Sequence, residues 1–274
     1  MWILLIAITY CDDDLAKIKF PEDAVERRAS YRPEYPVTQK RAYFVDDRLV
    51  GERKFYKSGR LADERLYRNE KLHGVWRQWH ENGKLLAERP YREGQMDGTF
   101  RFWDSNGKLL GESEMNRGTG VLHEFENLPL VAFDTETPYL GGKENGWRRY
   151  RGRFKGRIGV GSNISRLKNG VLDGYSYLYD GDGLPLGGAF FKDGELHGYA
   201  GHTDRDGTPA EGYPSYRING NTVAAGQYVD AAKRDKLLQE ILEHKPPKLE
   251  DIPTGVIDPD AKQPDSDRKP PDRK

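Results

Sequence analysis

The sequence predicts an all-β protein: a single-layer, twisted antiparallel sheet. The first observation is a repeat, because NGKLL at 82–86 recurs at 106–110, which gives a period of about 24 residues. The second is that a turn glycine is followed by further glycines eleven and then four residues later, in several copies. The third is composition, since short stretches rich in Trp, Tyr, Phe, Val and Leu separate these glycines, as is typical of β-hairpins.

About seven hairpin repeats are predicted, with turns near positions 59, 83, 107, 129, 159, 183 and 207. Asn82-Gly83 and Asn106-Gly107 suit a two-residue turn in which both central residues have positive φ. A single hairpin is marginal in water, so neighbouring hairpins are expected to pair into one elongated sheet.

These turns also predict which side chains face each other across each hairpin. Five cross-strand pairs follow: Arg53 with Glu64, Arg77 with Glu88, Arg101 with Glu112, Trp79 with Leu86, and Trp103 with Leu110. Three of the pairs join opposite charges, and an exposed pair contributes only about 0.2–1 kcal/mol. The charges therefore indicate the register, whereas stability must come from stacked aromatic and leucine side chains.

Five segments are predicted along the chain: a signal-like segment at 1–11, a linker at 12–39, the hairpin array at 40–229, a helix at 230–244 and a disordered tail at 245–274. The helix is predicted from a stripe of leucine and isoleucine after a capping Asp230, and it is expected to cover the end of the sheet. The tail is rich in Pro, Asp and Lys and lacks aromatic residues, a composition typical of disorder.

The N-terminal segment MWILLIAITYC is apolar, ends at Cys11, and is too short to span a bilayer as a helix. A lipoprotein signal places an acylated cysteine after such a segment, which makes Cys11 a lipidation candidate. The missing basic residue before the segment and the bulky Tyr10 count against this interpretation. Two locations stay open: a lipoprotein of the cell envelope, with a membrane contact through the lipid, and a cytoplasmic protein. As the only cysteine, Cys11 cannot form an internal disulfide.

No catalytic set, metal site or cofactor site is predicted. VAFDTETPYL at 131–140 looks like the first motif of DEDD-type exonucleases, but a two-metal site needs further aspartates and a general base. A repeat strand explains the segment better: with Pro129 in the turn, Asp134 takes the slot of Glu112 and faces His123. His73 and His197 precede repeat glycines, so a polar role at the turns is favoured over metal binding.

The segment WRRYRGRFKGR at 147–157 is the one strongly basic stretch, and residues 141–170 hold nine Lys or Arg against one Glu. Strand alternation places a row of basic side chains on one face, with Ile164 rather than an acid as the expected partner of Arg153. Such a row could bind an anionic partner. The alternative is a solvated face, and the zero net charge of the chain disfavours nucleic acid. The candidate residues are Arg148, Arg149, Arg151, Arg153, Lys155 and Arg157.

The pattern GVWRQWHENGKLLAERPYREGQMDG at 74–98 resembles the MORN-repeat variant of bacterial proteins, including antitoxins of toxin–antitoxin pairs. The resemblance covers roughly residues 40–220 and implies a hairpin-repeat sheet that binds a protein partner, with a toxin as one such partner. Its implied function is non-enzymatic protein–protein interaction. An envelope lipoprotein acting as a scaffold or spacer is the alternative, and a metal-dependent nuclease is disfavoured. Interface anchors are usually aromatic, and the candidates are Trp76, Trp79, Tyr91, Phe100 and Trp103.

Overall fold

The structure, a computed structural model, describes residues 20–28, 37–127, 131–154, 160–203 and 206–257. These residues form one open antiparallel sheet, which is not closed into a barrel, followed by two short helices. No helix in the described ranges is long and apolar enough to cross a membrane. The strands are β1 (Val25–Arg28), β2 (Val37–Val45), β3 (Arg48–Tyr56), β4 (Leu61–Arg68), β5 (Lys71–Leu72), β6 (Gly74–Trp79), β7 (Leu85–Arg92), β8 (Gln95–Met96), β9 (Gly98–Trp103), β10 (Leu109–Asn116), β11 (Thr119–Asn127), β12 (Val131–Leu140), β13 (Lys143–Glu144), β14 (Gly146–Phe154), β15 (Val160–Lys168), β16 (Val171–Tyr179), β17 (Pro185–Lys192), β18 (Glu195–His202), β19 (Ser215–Ile218) and β20 (Asn221–Thr222).

Strands pair in chain order, so the sheet is a meander of hairpins. The short strands β5, β8 and β13 begin the return path of a hairpin and continue, after one residue, into β6, β9 and β14. This architecture confirms the predicted all-β sheet. Part of the predicted linker at 12–39 belongs to the sheet: β1 lies within this range and pairs with β2. Phe20, in the same range, stacks on Tyr43 with ring centroids 4.0 Å apart.

The turn at Gly83 differs from the prediction. His80 donates its N–H to the carbonyl of Lys84, and Gly83 donates to the carbonyl of His80, both at 2.8 Å, so the loop holds three residues, 81–83. Only Gly83 has positive φ, +88°, and Asn82 does not. The same paired bonds close the loops at Gly59, Gly107 and Gly183, and Gly207 also has positive φ. The predicted turns at 129 and 159 lie outside the described residues.

The two-residue turns, in which both residues have positive φ, connect the strands at the ends opposite to the three-residue loops. Glu93-Gly94 is one of them, with φ of +50° and +84°, the geometry that suits the twist of a hairpin. Successive turns are hydrogen-bonded to one another: Gly118 donates to the carbonyl of Met96 at 2.7 Å, and Gly142 donates to that of Gly118 at 2.8 Å. We call this row of bonded turns the turn stack. Three more such bonds extend it: Gly94 to Leu72, Gly170 to Glu144, and Gly194 to Leu172.

The predicted register holds for the charged pairs and fails beside the loops. Arg77 lies opposite Glu88, as predicted, but Trp79 lies opposite Leu85 because Leu86 forms a β-bulge. The three-residue loop shifts the register by one residue, and the bulge restores it. Trp103 likewise lies opposite Leu109 rather than the predicted partner, whereas the charged pairs of the neighbouring hairpins are confirmed.

Polar side chains before the repeat glycines support the turn stack, which confirms the role predicted for the histidines. His73 Nδ1 accepts the backbone N–H of Glu93 at 3.4 Å, one repeat later. The equivalent bond runs from the N–H of Asn219 to His197 Nδ1 at 3.1 Å. Asp97, Thr119 and Asn145 accept from the next turn in the same way.

The C-terminal region contains two helices, α1 (Ala225–Ala232) and α2 (Lys236–Glu243), rather than the one predicted at 230–244. The N-cap of α2 is Asp235, whose carboxylate accepts the N–H groups of Leu237 and Leu238, so the predicted cap at Asp230 is wrong. Together α1, α2 and residues 245–257 cover one face of the sheet near its C-terminal end, and we call them the C-terminal cover.

The predicted disordered tail is wrong for residues 245–257, while 258–274 lie outside the described residues. The hydroxyl of Tyr179 donates to the carbonyl of Pro247 at 2.7 Å, and Ile252 is buried. A 3-10 helix at Leu249–Asp251 packs on the same cluster, which also contains Ile164 and Tyr177. Tyrosine and isoleucine side chains of the sheet therefore give this proline-rich segment an apolar surface on which to pack.

Acid should destabilise the C-terminal half. Burial lowers the pKa of His197 and of His244 below the ordinary 6.5, so the unfolded chain takes up protons first as the pH falls. The stabilisation is present above about pH 6.5 and is lost as the pH falls below it. We expect the free energy of unfolding, measured by urea denaturation, to fall between pH 7 and pH 5. His197→Asn, which keeps an acceptor for the N–H of Asn219, should weaken this dependence, and an unchanged pH profile would contradict the assignment.

Candidate interaction surfaces

A row of alternating charges crosses six strands of the sheet. Backbone register places Glu64 opposite both Arg53 and Arg77, and Glu88 opposite both Arg77 and Arg101. Opposite charges thus meet between neighbouring hairpins as well as within each one, which the sequence analysis did not anticipate. We call this row the charge ladder and the side of the sheet that carries it the ladder face. Its members are Arg53, Glu64, Arg77, Glu88, Arg101 and Glu112.

Exposure changes along the charge ladder. Arg53 Nε lies 2.7 Å from a Glu64 carboxylate whose side chain is 1% exposed. At the other end, the side chains of Arg101 and Glu112 are 43% and 55% exposed, and Arg101 Nε lies 3.2 Å from a carboxylate oxygen of Glu112. Ion pairs in water contribute little to stability, whereas a buried carboxylate depends on its partners. The Arg53 end is therefore structural, and the Arg101 end is accessible to a partner.

Two of the predicted aromatic anchors lie beside the charge ladder. Trp79 and Trp103 follow ladder arginines by two positions in β6 and β9, so they share the ladder face. Both side chains are half-buried. Their backbone carbonyls bond to side chains one repeat earlier, Trp79 with the Tyr56 hydroxyl at 2.5 Å and Trp103 with His80 Nε2 at 3.0 Å. These bonds hold the two tryptophans in register.

The other three anchors lie away from the ladder face. Phe100 is completely buried against Phe102, so its prediction as an exposed anchor is wrong. Tyr91 packs edge-on against Phe100, with centroids 5.9 Å apart, and its other neighbour is the ring of Trp76 at 6.3 Å. Phe100 and Tyr91 therefore belong to a core cluster, and Trp76 is half-buried beside them.

Two arginines missed by the sequence analysis hold Trp76. The guanidinium carbons of Arg65 and Arg89 lie 4.1 and 4.9 Å from the ring of Trp76, and its indole N–H donates to Asp63 at 2.8 Å. Arg65 and Arg89 occupy the same position in successive repeats. Their shared repeat slot was the signal that could have found them.

The predicted row of unpaired arginines on β14 faces acids instead. Arg149 Nη2 lies 2.7 Å from Glu136, and Arg151 Nη1 lies 3.8 Å from Asp134. The reason is that β14 pairs with β12, which carries both carboxylates on the facing row. The accessible positive charge of this surface is therefore smaller than the sequence indicates.

The remaining basic candidates are only partly described. Arg148 lies 3.2 Å from Glu144. The backbone of Arg153 faces Val160 rather than the predicted Ile164, so the register of β14 with β15 differs by four residues from the one that a turn at Gly159 predicts. The side chain of Arg153 is outside the described part of the structure, as are Lys155, Arg157 and the lipidation candidate Cys11.

The segment at 131–140 is a repeat strand, as predicted. Its Asp134 and Glu136 face arginines, and no group of three or more His, Cys, Asp or Glu suited to a metal occurs within the described ranges. His123 lies opposite Glu136 rather than Asp134. The register of β11 with β12 therefore differs by two residues from the one that a turn at Pro129 predicts.

Comparison with known proteins agrees with this geometry. The MORN repeat variant family model matches residues 72–93 and 96–116, and each matched range contains the two long strands of one hairpin. No curated protein matches the chain. The matched residues form the hairpins β6–β7 and β9–β10, which carry four of the six members of the charge ladder and both of its tryptophans.

Proposed function

We propose that this chain is a non-enzymatic repeat protein whose ladder face binds a protein partner. The observation that carries the proposal is the accessible end of the charge ladder, where Arg101 and Glu112 lie beside Trp103. Tryptophan and arginine are the side chains most enriched among interface residues that dominate binding energy. MORN repeats are commonly protein- or membrane-interaction repeats, which supports a binding role.

The surface suits recognition because its parts are held in place before a partner arrives. Trp103 is fixed through its carbonyl by His80, and Arg101 is opposite both Glu88 and Glu112. Ordered side chains lose less conformational entropy on binding than mobile ones. Alternating charges also favour a partner that presents charges of both signs in matching order.

A toxin neutralised by the ladder face is the finer form of the proposal, and it rests on the resemblance of residues 74–98 to MORN-variant repeats of antitoxins. An envelope lipoprotein anchored through Cys11 is the alternative suggested by the N-terminal segment. Neither function requires catalytic residues, and each is compatible with an exposed ladder face.

The test begins with capture and identification of a partner by the purified full-length chain. Its affinity for the wild type and for single variants is then measured by calorimetry. Trp103→Ala should weaken binding at least about tenfold, as expected for a dominant interface residue. Val171→Ala is the matched control, because Val171 is an exposed strand residue, 46% accessible, remote from the charge ladder.

Arg149→Glu with Arg151→Glu separates the exposed end of the charge ladder from the basic strand β14. Affinity unchanged by this double variant but lost in Trp103→Ala supports the exposed end of the charge ladder. Affinity lost only in the double variant would overturn it in favour of β14. A toxin partner whose activity is unaffected at saturating concentrations of the chain would exclude neutralisation while leaving binding intact.

A further inference from the structure

A cleft of about 290 Å³ lies between the sheet and the C-terminal cover. Its floor is backbone from β17 and β18, at Gly187, Gly188 and Gly201. Its roof includes Ile241 of α2 and His244 just after it. The cleft is far along the array from the exposed end of the charge ladder, so it is independent of the proposed partner site.

The cleft exists because glycine occupies the row that carries the charge ladder elsewhere. Backbone register continues this row from Arg149 through Ile164 and Tyr177 to Gly188 and Gly201. A side chain in either glycine position would enter the space below α2. Without side chains there, the ring of Tyr199 lies over Gly201 and the ring of Tyr177 lies beside Gly188, and the cleft opens between these rings and α2.

Aromatic rings form the walls of the cleft. Tyr175 stacks on His244 with centroids 3.8 Å apart and on Tyr177 with centroids 5.7 Å apart, and both pairs are within 20° of parallel. Tyr177 and His244 are joined by a hydrogen bond of 2.7 Å between the hydroxyl and Nε2. Tyr199 and His202 line the cleft from β18. These contacts make the walls rigid and flat.

The polar groups of the cleft are neutral hydrogen-bonding groups. None of the Asp, Glu, Lys or Arg side chains that the structure describes lines it. Among the described residues nothing hydrogen-bonds to the hydroxyls of Tyr175 and Tyr199, so both are available to a ligand. Burial raises the pKa of both tyrosines and lowers the pKa of His244, which keeps all three groups uncharged near pH 7.

We propose that this cleft binds a neutral, planar aromatic small molecule of one or two rings, which lies over the backbone of β17 and β18 and contacts the rings of Tyr175 and Tyr199. The volume is close to the lower end of the range for ligand pockets. A charged ligand would lose its hydration without gaining a counter-charge. A sugar would bring many hydroxyl groups into a cleft that offers few partners for them.

The proposal is tested by calorimetric titration of the full-length chain with indole, phenol and quinolin-4-one. Cyclohexanol, benzoate and glucose serve as non-planar, anionic and polyhydroxylated comparisons. We expect the planar neutral probes to bind and the comparisons to bind at least about tenfold more weakly. Equal binding of all six, or preference for benzoate or glucose, would overturn the proposal.

Gly201→Val tests the location. A Cβ at Gly201 would lie 2.7 Å from the Tyr199 hydroxyl and 2.9 Å from its ring, so the ring must leave the position in which it lines the cleft. The matched control is Gly152→Val in β14, where a Cβ would lie 3.1 Å from the ring of Tyr150 in the same Tyr-X-Gly arrangement, outside the cleft. Planar probes should bind at least tenfold more weakly to Gly201→Val and normally to Gly152→Val.

Tyr175→Phe combined with Tyr199→Phe provides a second test that does not depend on the folding of Gly201→Val. Shape and apolar area are retained while both free hydroxyls are removed. Quinolin-4-one, which has a strong carbonyl acceptor, should lose more affinity than indole, which has none. Unchanged binding of quinolin-4-one to this double variant, or to a folded Gly201→Val, would show that the probes bind elsewhere.

Discussion

Gly118→Ala is expected to destabilise the array by about 3 kcal/mol, from the strain of a left-handed backbone and from overpacking. Gly118 has φ of +76°, and an added Cβ would lie 2.5 Å from the backbone nitrogen of Gly142 in the next turn. That nitrogen donates to the carbonyl of Gly118 at 2.8 Å, so the clash falls on a bond of the turn stack itself. Chemical denaturation followed by circular dichroism measures the loss.

Gly170→Ala is the matched control for this prediction. Gly170 has a similar φ, +84°, in an equivalent turn, but nothing lies within 4 Å of its added Cβ. It should carry only the backbone strain, about 1–2 kcal/mol. Equal losses in the two variants would show that contact between neighbouring turns adds nothing to the cost.

Glu64→Gln is expected to cost about 3 kcal/mol, because it removes the charge of a buried carboxylate while leaving the guanidinium of Arg53 in place. The Glu64 side chain is 1% exposed, and Arg53 beside it is 18% exposed. Glutamine has nearly the same shape, so the change tests charge rather than packing. Urea denaturation at neutral pH gives the difference in unfolding free energy.

Glu112→Gln tests the same substitution at the exposed end of the charge ladder. Its side chain is 55% exposed, and such ion pairs contribute at most about 1 kcal/mol. Raising the salt concentration should reduce this small effect further and should change the Glu64→Gln result less. A larger loss for Glu112→Gln than for Glu64→Gln would contradict the burial argument.

The sequence predicted the sheet and its charged pairs because both follow from the repeat spacing, which fixes relative positions whatever the turn type. The turn type itself was assigned to the wrong glycine. Asn82-Gly83 suits a two-residue turn, but the chain forms a three-residue loop there and a bulge at Leu86 that together preserve the pairing of Arg77 with Glu88. Two local deviations that cancel cannot be recognised from spacing alone.

The anchors and the C-terminal cover depended on contacts that spacing does not contain. Phe100 and Trp103 are three residues apart in one strand, so they point to opposite sides, and only one side is closed by neighbouring rings. Pro247 and Ile252 are ordered because Tyr179 and Ile164 lie beneath them, far away in sequence. Composition is a property of the segment alone, so it predicted disorder without taking account of the sheet surface on which the segment packs.

The alternation of sign along the charge ladder limits how an array of this kind can change length. Each outgoing strand supplies an arginine and each returning strand a glutamate. Insertion or deletion of a complete hairpin leaves every neighbour opposite in sign. Gain or loss of one strand would bring two guanidinium groups or two carboxylates side by side, so evolutionary growth in whole pairs of strands is the route that electrostatics permits.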